Sequence, residues 1–162
     1  RFVSSVRPKY PGNQAAWPTK LRRGDRSMSL REWFTRKHVS EKASRLRVKN
    51  ITRNTQIATD VELADSGARR SRGLLGRKGL AAGEGLWIVP CEAVHTFGMQ
   101  FSIDLVYIDR EYRIRKIRKN VPPWRLSACL RAHSVIELAA GSIQENIAQP
   151  GDIVEIATFH PE

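Results

Sequence analysis

Leu46-Arg-Val-Lys-Asn-Ile51 and Ile57-Ala-Thr-Asp-Val-Glu-Leu-Ala64 alternate apolar and polar side chains across the polar turn Arg53-Asn54-Thr55. A period of two marks a strand with one buried face, and two such runs around a short turn predict a β-hairpin. Working outward, Asp65-Ser66 offers a helix N-cap, and residues 67–75 read as a short basic helix closed by Gly76. Gly83-Glu-Gly85 turns into a short apolar strand at 86–89, stopped by Pro90. Residues 101–108 form the next strand, with Ile103, Leu105 and Tyr107 on one face, and turn at Asp109-Arg-Glu111. Residues 113–119 carry only Ile114 and Ile117 as apolar members, which suits an edge strand whose Lys and Arg side chains discourage pairing with other chains. After Pro122-Pro123-Trp124-Arg125, residues 133–138 read as a strand and Gly141-Ser142 opens a one- or two-turn helix through Ile147. Pro150-Gly151-Asp152 then turns into a last strand at 153–157. About seven short strands, two short helices and few crossovers predict a mainly β domain over residues 45–158, a compact antiparallel sandwich or small barrel.

The charge is unevenly placed. Residues 1–50 hold 14 Lys and Arg against 3 Asp and Glu, whereas residues 51–162 hold 14 against 13. Of the net charge of +12, +11 therefore lies in residues 1–50, and residues 1–44 break periodicity with Pro and Gly and read as a basic, mostly disordered arm. Met28, followed by Leu30-Arg-Glu-Trp-Phe34, is expected to be the natural start, and 29–44 is compatible with one short helix or a transit-peptide-like segment. The arm suits weak electrostatic contact with nucleic acid or anionic surfaces through residues 1–49. No apolar run approaches the ~20 residues that span a bilayer, and a cytoplasmic location is expected. Cys91 and Cys129 match no metal-finger spacing and read as a reduced pair, with a single disulfide as the alternative.

Six segments in order, Arg72-Gly-Leu-Leu-Gly-Arg77, Gly85-Leu-Trp-Ile-Val-Pro-Cys91, His95-Thr-Phe-Gly-Met-Gln-Phe-Ser-Ile-Asp104, Val121-Pro-Pro-Trp-Arg125, Glu137-Leu-Ala-Ala-Gly141 and Gly151-Asp152, resemble the family of domain of unknown function 192. The resemblance covers roughly residues 46–157 and implies a compact, mainly β bacterial domain with no assigned activity or cofactor. Ser102 stands where relatives usually carry Pro.

His95 and Asp104 are the first candidates for a site, as an Asp that orients a His ring. Cys91, four residues before His95, can supply a thiolate nucleophile or soft ligand, and Glu137 and His133 can join in a mixed cluster compatible with zinc or iron. The competing reading makes the same residues a buried, mutually satisfied polar network. Arg69, Arg70, Arg72 and Arg77 invite an anion site, but Arg70 and Arg77 read as solvent-facing. Arg72 reads as an ion-pair partner of Glu137 or Asp104, with a clamp for a ligand carboxylate or phosphate as the alternative, so that Arg72 and Glu137 join Thr96, Trp124 and Arg125 as ligand-binding candidates. Trp87, Met99, Phe101 and Trp124 read as core or core rim, while Trp124 and Arg125 on a Pro-stiffened loop also suit a pocket floor. No phosphate loop, nucleotide fingerprint, nucleophile elbow or His-Glu-x-x-His motif occurs. The expectation is a non-catalytic domain that binds a small ligand or protein near His95, Thr96, Asp104, Trp124 and Arg125. The alternatives are a small hydrolase using His95 with Cys91, Asp104 or a metal, and an accessory protein recruited by its arm to RNA or anionic surfaces.

Overall fold

The computed structural model describes residues 45–159. The expected arm at 1–44, its start at Met28 and its short helix lie outside these residues. The first hairpin is present: β1 (Arg45–Asn50) and β2 (Thr55–Ala64) pair antiparallel. Asn54 closes its turn at φ 55°, a left-handed conformation that Asn tolerates better than most residues. Ser66 caps α1 (Gly67–Arg72) by accepting the Arg69 amide at 3.3 Å. The helix stops at Gly73 (φ 51°), short of the expected Leu75, and Leu74 turns into the core.

The remaining strands are β3 (Glu84–Ile88), β4 (Ala93–His95), β5 (Ile103–Ile108), β6 (Ile114–Val121), β7 (Leu126–Ala128), β8 (Ser134–Ala139) and β9 (Val154–Phe159). The main sheet has the order β6-β5-β8-β3-β2-β1-β9, and β4 and β7 form a separate antiparallel ribbon. All seven expected strands exist, and the ribbon adds two more. The pairing is mixed rather than wholly antiparallel, because β3 lies parallel to β2. The segment that holds α1 is long enough to carry the chain back for such a crossover. At 141–147 the structure has turns in place of the second helix: the Ser142 amide closes on Ala139 O (3.1 Å) and the Ile147 amide on Gln144 O (3.0 Å), while the Ile147 carbonyl is taken by the side chains of Asn50 and Thr55.

The architecture is mainly β and sandwich-like. Its edges meet at one corner, where Ile114 N–H donates to Asp152 O (2.8 Å) and Val154 N–H to Tyr112 O (2.9 Å), but the sheet does not close into a barrel. Asp152 holds that corner by accepting from Asn50 at 2.9 Å and from the Gln149 amide at 2.8 Å. Away from the corner β6 is the edge strand its composition predicts, with Arg118 and Lys119 exposed.

Strand parity then builds two cores. Val106, Ile108, Ile136 and Leu138 join Val48, Val61, Trp87 and Val154 on one face. Leu105, Tyr107 and Val135 join Leu86, Ile88, Leu74, Val94 and Met99 on the other, so β5 and β8 are buried on both sides. Burial at this scale, at about 25 cal/mol per Å² of apolar surface, is what drives the fold. No helix of the described residues is long and apolar enough to cross a membrane.

Gly85 sets how closely β3 approaches β8. A Cβ there would lie 2.8 Å from both the Glu137 carbonyl oxygen and Leu138 Cδ2. Gly85→Ala is expected to cost about 1–3 kcal/mol in urea unfolding. Wild-type stability in that variant would show that the close approach is dispensable.

Candidate functional site

Glu137 sits in the middle of β8, in register with Leu86 on β3 and Leu105 on β5. Its side chain therefore points to the same face as theirs, beneath α1 and the ribbon. It is 4% exposed, and its Oε2 has no hydrogen-bond partner among the described residues. Burial pushes its carboxyl up to about 7, against the opposing pull of Arg77. Arg77 is itself committed: it grips Glu62 with both terminal nitrogens (3.2 and 2.8 Å) and holds that carboxylate below its ordinary range.

Above Glu137 opens a cleft of about 370 Å³. One wall is the end of α1 and the turn after it, from Arg70 to Leu75, and the other runs from Pro90 to His95, with Met99 between. Arg70 donates to the carbonyls of Asp65 and Val89, which ties α1 to the end of β3. Arg70 is thus half-buried wall, and Arg77 a bidentate ion-pair partner, where the sequence reading had both facing solvent.

Four candidates meet around this cleft: Arg72, Cys91, His95 and Glu137. Cys91 is half-buried and donates to the Ala93 carbonyl at 3.1 Å. Burial pushes its thiol above the ordinary value, the opposite of what a thiolate nucleophile requires. His95 stands exposed at the rim, stacked on Phe97 at 5.1 Å. Arg72, the last residue of α1, is exposed at the mouth and makes no ion pair with Glu137 or Asp104.

The other candidates lie elsewhere. Asp104 falls on the opposite face of β5, fully buried, where its two oxygens accept the amides of Asn120 (2.7 Å) and Ile143 (2.9 Å). It orients loops and not the His95 ring. Thr96 is a buried staple: its hydroxyl donates to Pro122 O (2.8 Å) and accepts from the Arg125 amide (2.9 Å). That staple holds Trp124 outward, 66% exposed, so it is neither core nor cleft floor, and Arg125 is exposed beside it. His133 meets Cys91 through its backbone carbonyl at 2.9 Å and does not line the cleft. Among the described residues no three His, Cys, Asp or Glu side chains converge as a metal site.

Arg70 and Met99 are walls that sequence reasoning did not assign to a site. The best signal available was Glu137 itself, a lone acid in the apolar run Val135-Ile-Glu-Leu138. A buried carboxyl titrating near neutrality beside a cleft can accept a hydrogen bond as the anion, donate one as the acid, or exchange a proton with a bound group.

A sequence model of the family of domain of unknown function 192, described as "Uncharacterized ACR", matches residues 48–156. The structure is similar to that of a protein of unknown function from Novosphingobium aromaticivorans DSM 12444. That likeness has a TM-score of 0.59 and 21% identity, over 68% of this chain and 83% of that one. It is also similar to a candidate transcription regulator from Sinorhizobium meliloti 1021, with a TM-score of 0.59 and 24% identity over 72% of this chain and 95% of that one. At these identities the likeness is one of fold. Among curated proteins none matches the chain.

Proposed function

Because the chain belongs to the family of domain of unknown function 192, which is uncharacterised, we propose its function from the cleft itself: the domain binds a small ligand that places an N–H donor on Glu137. The observation that carries this reading is the buried Oε2 without a partner. An unpaired buried acceptor is costly, by about 1–3 kcal/mol and more when charged, and a ligand donor would offset that cost. The apolar walls Leu74, Ile88, Val94 and Met99 suit the body of such a ligand, and Arg72 at the mouth suits an acidic group at its far end. The favoured class is therefore amphoteric and of amino-acid size.

A thermal-shift panel of amino acids, their amides and simple amines tests it on the full chain. A true ligand stabilises the protein by about 2.7 kcal/mol at a hundredfold excess over its Kd. With a cationic donor, binding is expected to strengthen from pH 6 to pH 8 as Glu137 ionises, and to vanish in Glu137→Gln. A panel without effect, or a shift that survives in Glu137→Gln, would overturn the reading.

A further inference from the structure

The ribbon of β4 and β7 turns Val94 and Ser127 inward and leaves its other face to solvent. His95 of β4 and its register partner Leu126 of β7 point out, and Phe97, Trp124 and Leu130 in the segments flanking the strands are exposed as well. Six large hydrophobic residues are exposed among the described residues, and five of them are Leu75, Phe97, Trp124, Leu126 and Leu130. Leu75 adjoins this face, since its Cδ2 would lie 3.5 Å from a Cβ at Gly98. Phe97 is stacked on His95 at 5.1 Å and tilted against Trp124 at 5.9 Å, so the rings form a continuous row. A contiguous exposed apolar face of this kind marks an interaction site.

The backbone is strained to present it. Trp124 has φ 62°, a conformation uncommon for a bulky residue, and is held there by its amide bond to Thr96 O at 3.0 Å. The fold thus keeps an indole in water at some cost in stability.

The charges around the face select its partner. Across residues 90–99 and 122–133 the cations are Arg125 and Arg131 and the one carboxylate is Glu92. On β6 alongside, Lys116 reaches the Ala128 carbonyl at 2.8 Å, and Arg118 stands exposed opposite Leu105. An apolar face rimmed by cations complements an anionic surface. A second copy would bring like charges together. Single-stranded nucleic acid needs free ring faces, but His95 and Phe97 already stack on each other, and Leu126 and Leu130 offer none.

We propose that this ribbon face docks on anionic lipid bilayers, with Trp124, Phe97 and Leu126 entering the headgroup region and Arg125 and Arg131 meeting the lipid phosphates. The inference is independent of the Glu137 cleft.

The test is sedimentation of the full chain with vesicles of equimolar phosphatidylcholine and phosphatidylglycerol in high salt, where contacts made by exposed charge alone are screened. The variant Trp124→Asn with Leu126→Thr leaves the charge unchanged, and Asn accepts the positive φ. Its partitioning is expected to fall by about tenfold or more, from the apolar surface lost, at a melting temperature no lower than that of the wild type. With brominated lipids, wild-type tryptophan emission is expected to be quenched, and Trp124→Phe to lose that quenched component while still sedimenting. Equal partitioning of variant and wild type would overturn the proposal. So would single-stranded RNA binding, or a concentration-dependent dimer, that depends on the same two side chains while vesicles are ignored.

Discussion

Glu137→Gln gains on wild type by about 3 kcal/mol as pH rises from 4.5 to 7.5, a difference of roughly 10 °C in melting temperature for a domain of this size. The cause is the burial of the carboxyl in β8, which raises it from an ordinary 4.5 to about 7. Between those values the folded protein keeps a proton that the unfolded chain has released, so the stability of the wild type falls as pH rises through the window. Below about pH 4.5 the group is neutral in both states, and above about 7 it is ionised in both, so the loss is then complete. The amide never ionises and escapes this loss, while the hydrogen-bonding needs of its own buried amide are the same at every pH. Calorimetry of both proteins from pH 4 to pH 8 reads the difference directly. Parallel stability curves would mean that Glu137 is solvated in the folded state and that the cleft is wetter than its geometry indicates. The same result would remove the basis for a ligand donor at Oε2.

Asp104→Ala is expected to lose about 3–6 kcal/mol, since a hydrogen bond to a charged acceptor contributes about 1.5–3 kcal/mol and two are removed. The carboxylate takes the amides of Asn120, at the end of β6, and Ile143, after the Gly141 turn. Alanine leaves both donors without an acceptor next to a side chain that is fully buried. Urea unfolding should show a lower midpoint at an unchanged slope, because the surface exposed on unfolding is the same. Any ligand-induced rise in melting temperature should persist in this variant, since Asp104 faces away from the cleft. A loss below about 1 kcal/mol would show that water replaces the carboxylate. Loss of ligand response at normal stability would return Asp104 to the site.

Most of the strands were legible because alternation is a property of the chain itself. Leu46 to Ala64 reads as a hairpin without knowledge of its neighbours, Ser66 announces the start of α1, and the basic composition of β6 marks an edge. Strands β4 and β7 were not legible, since three residues carry no detectable period and the ribbon is made by the Thr96 staple between distant segments. The helix expected at 141–147 failed for a similar reason: the segment is held by distant side chains, Asp104 at the Ile143 amide and Asn50 and Thr55 at the Ile147 carbonyl, which its own sequence does not announce.

The site divides along the same line. Cys91, His95, Arg72 and Glu137 were singled out and do surround one cleft. The pairing of His95 with Asp104 overlooked strand parity, since Ile103, Leu105 and Tyr107 on one face of β5 place Asp104 on the other. That correction was available from the sequence. The outward pose of Trp124 was not, because an indole reads as core until its backbone conformation and its hold on Thr96 are known.

By itself, then, the sequence determined a mainly β domain, the parity of its long strands and the residue types from which a site can be made. Tertiary structure alone decided the parallel return of β3, the ribbon over the second core and the near-neutral titration of Glu137. Pleat and periodicity are local properties that each strand carries with it. The charge state of a buried carboxyl depends on which distant segments exclude water from it, and no single segment encodes that.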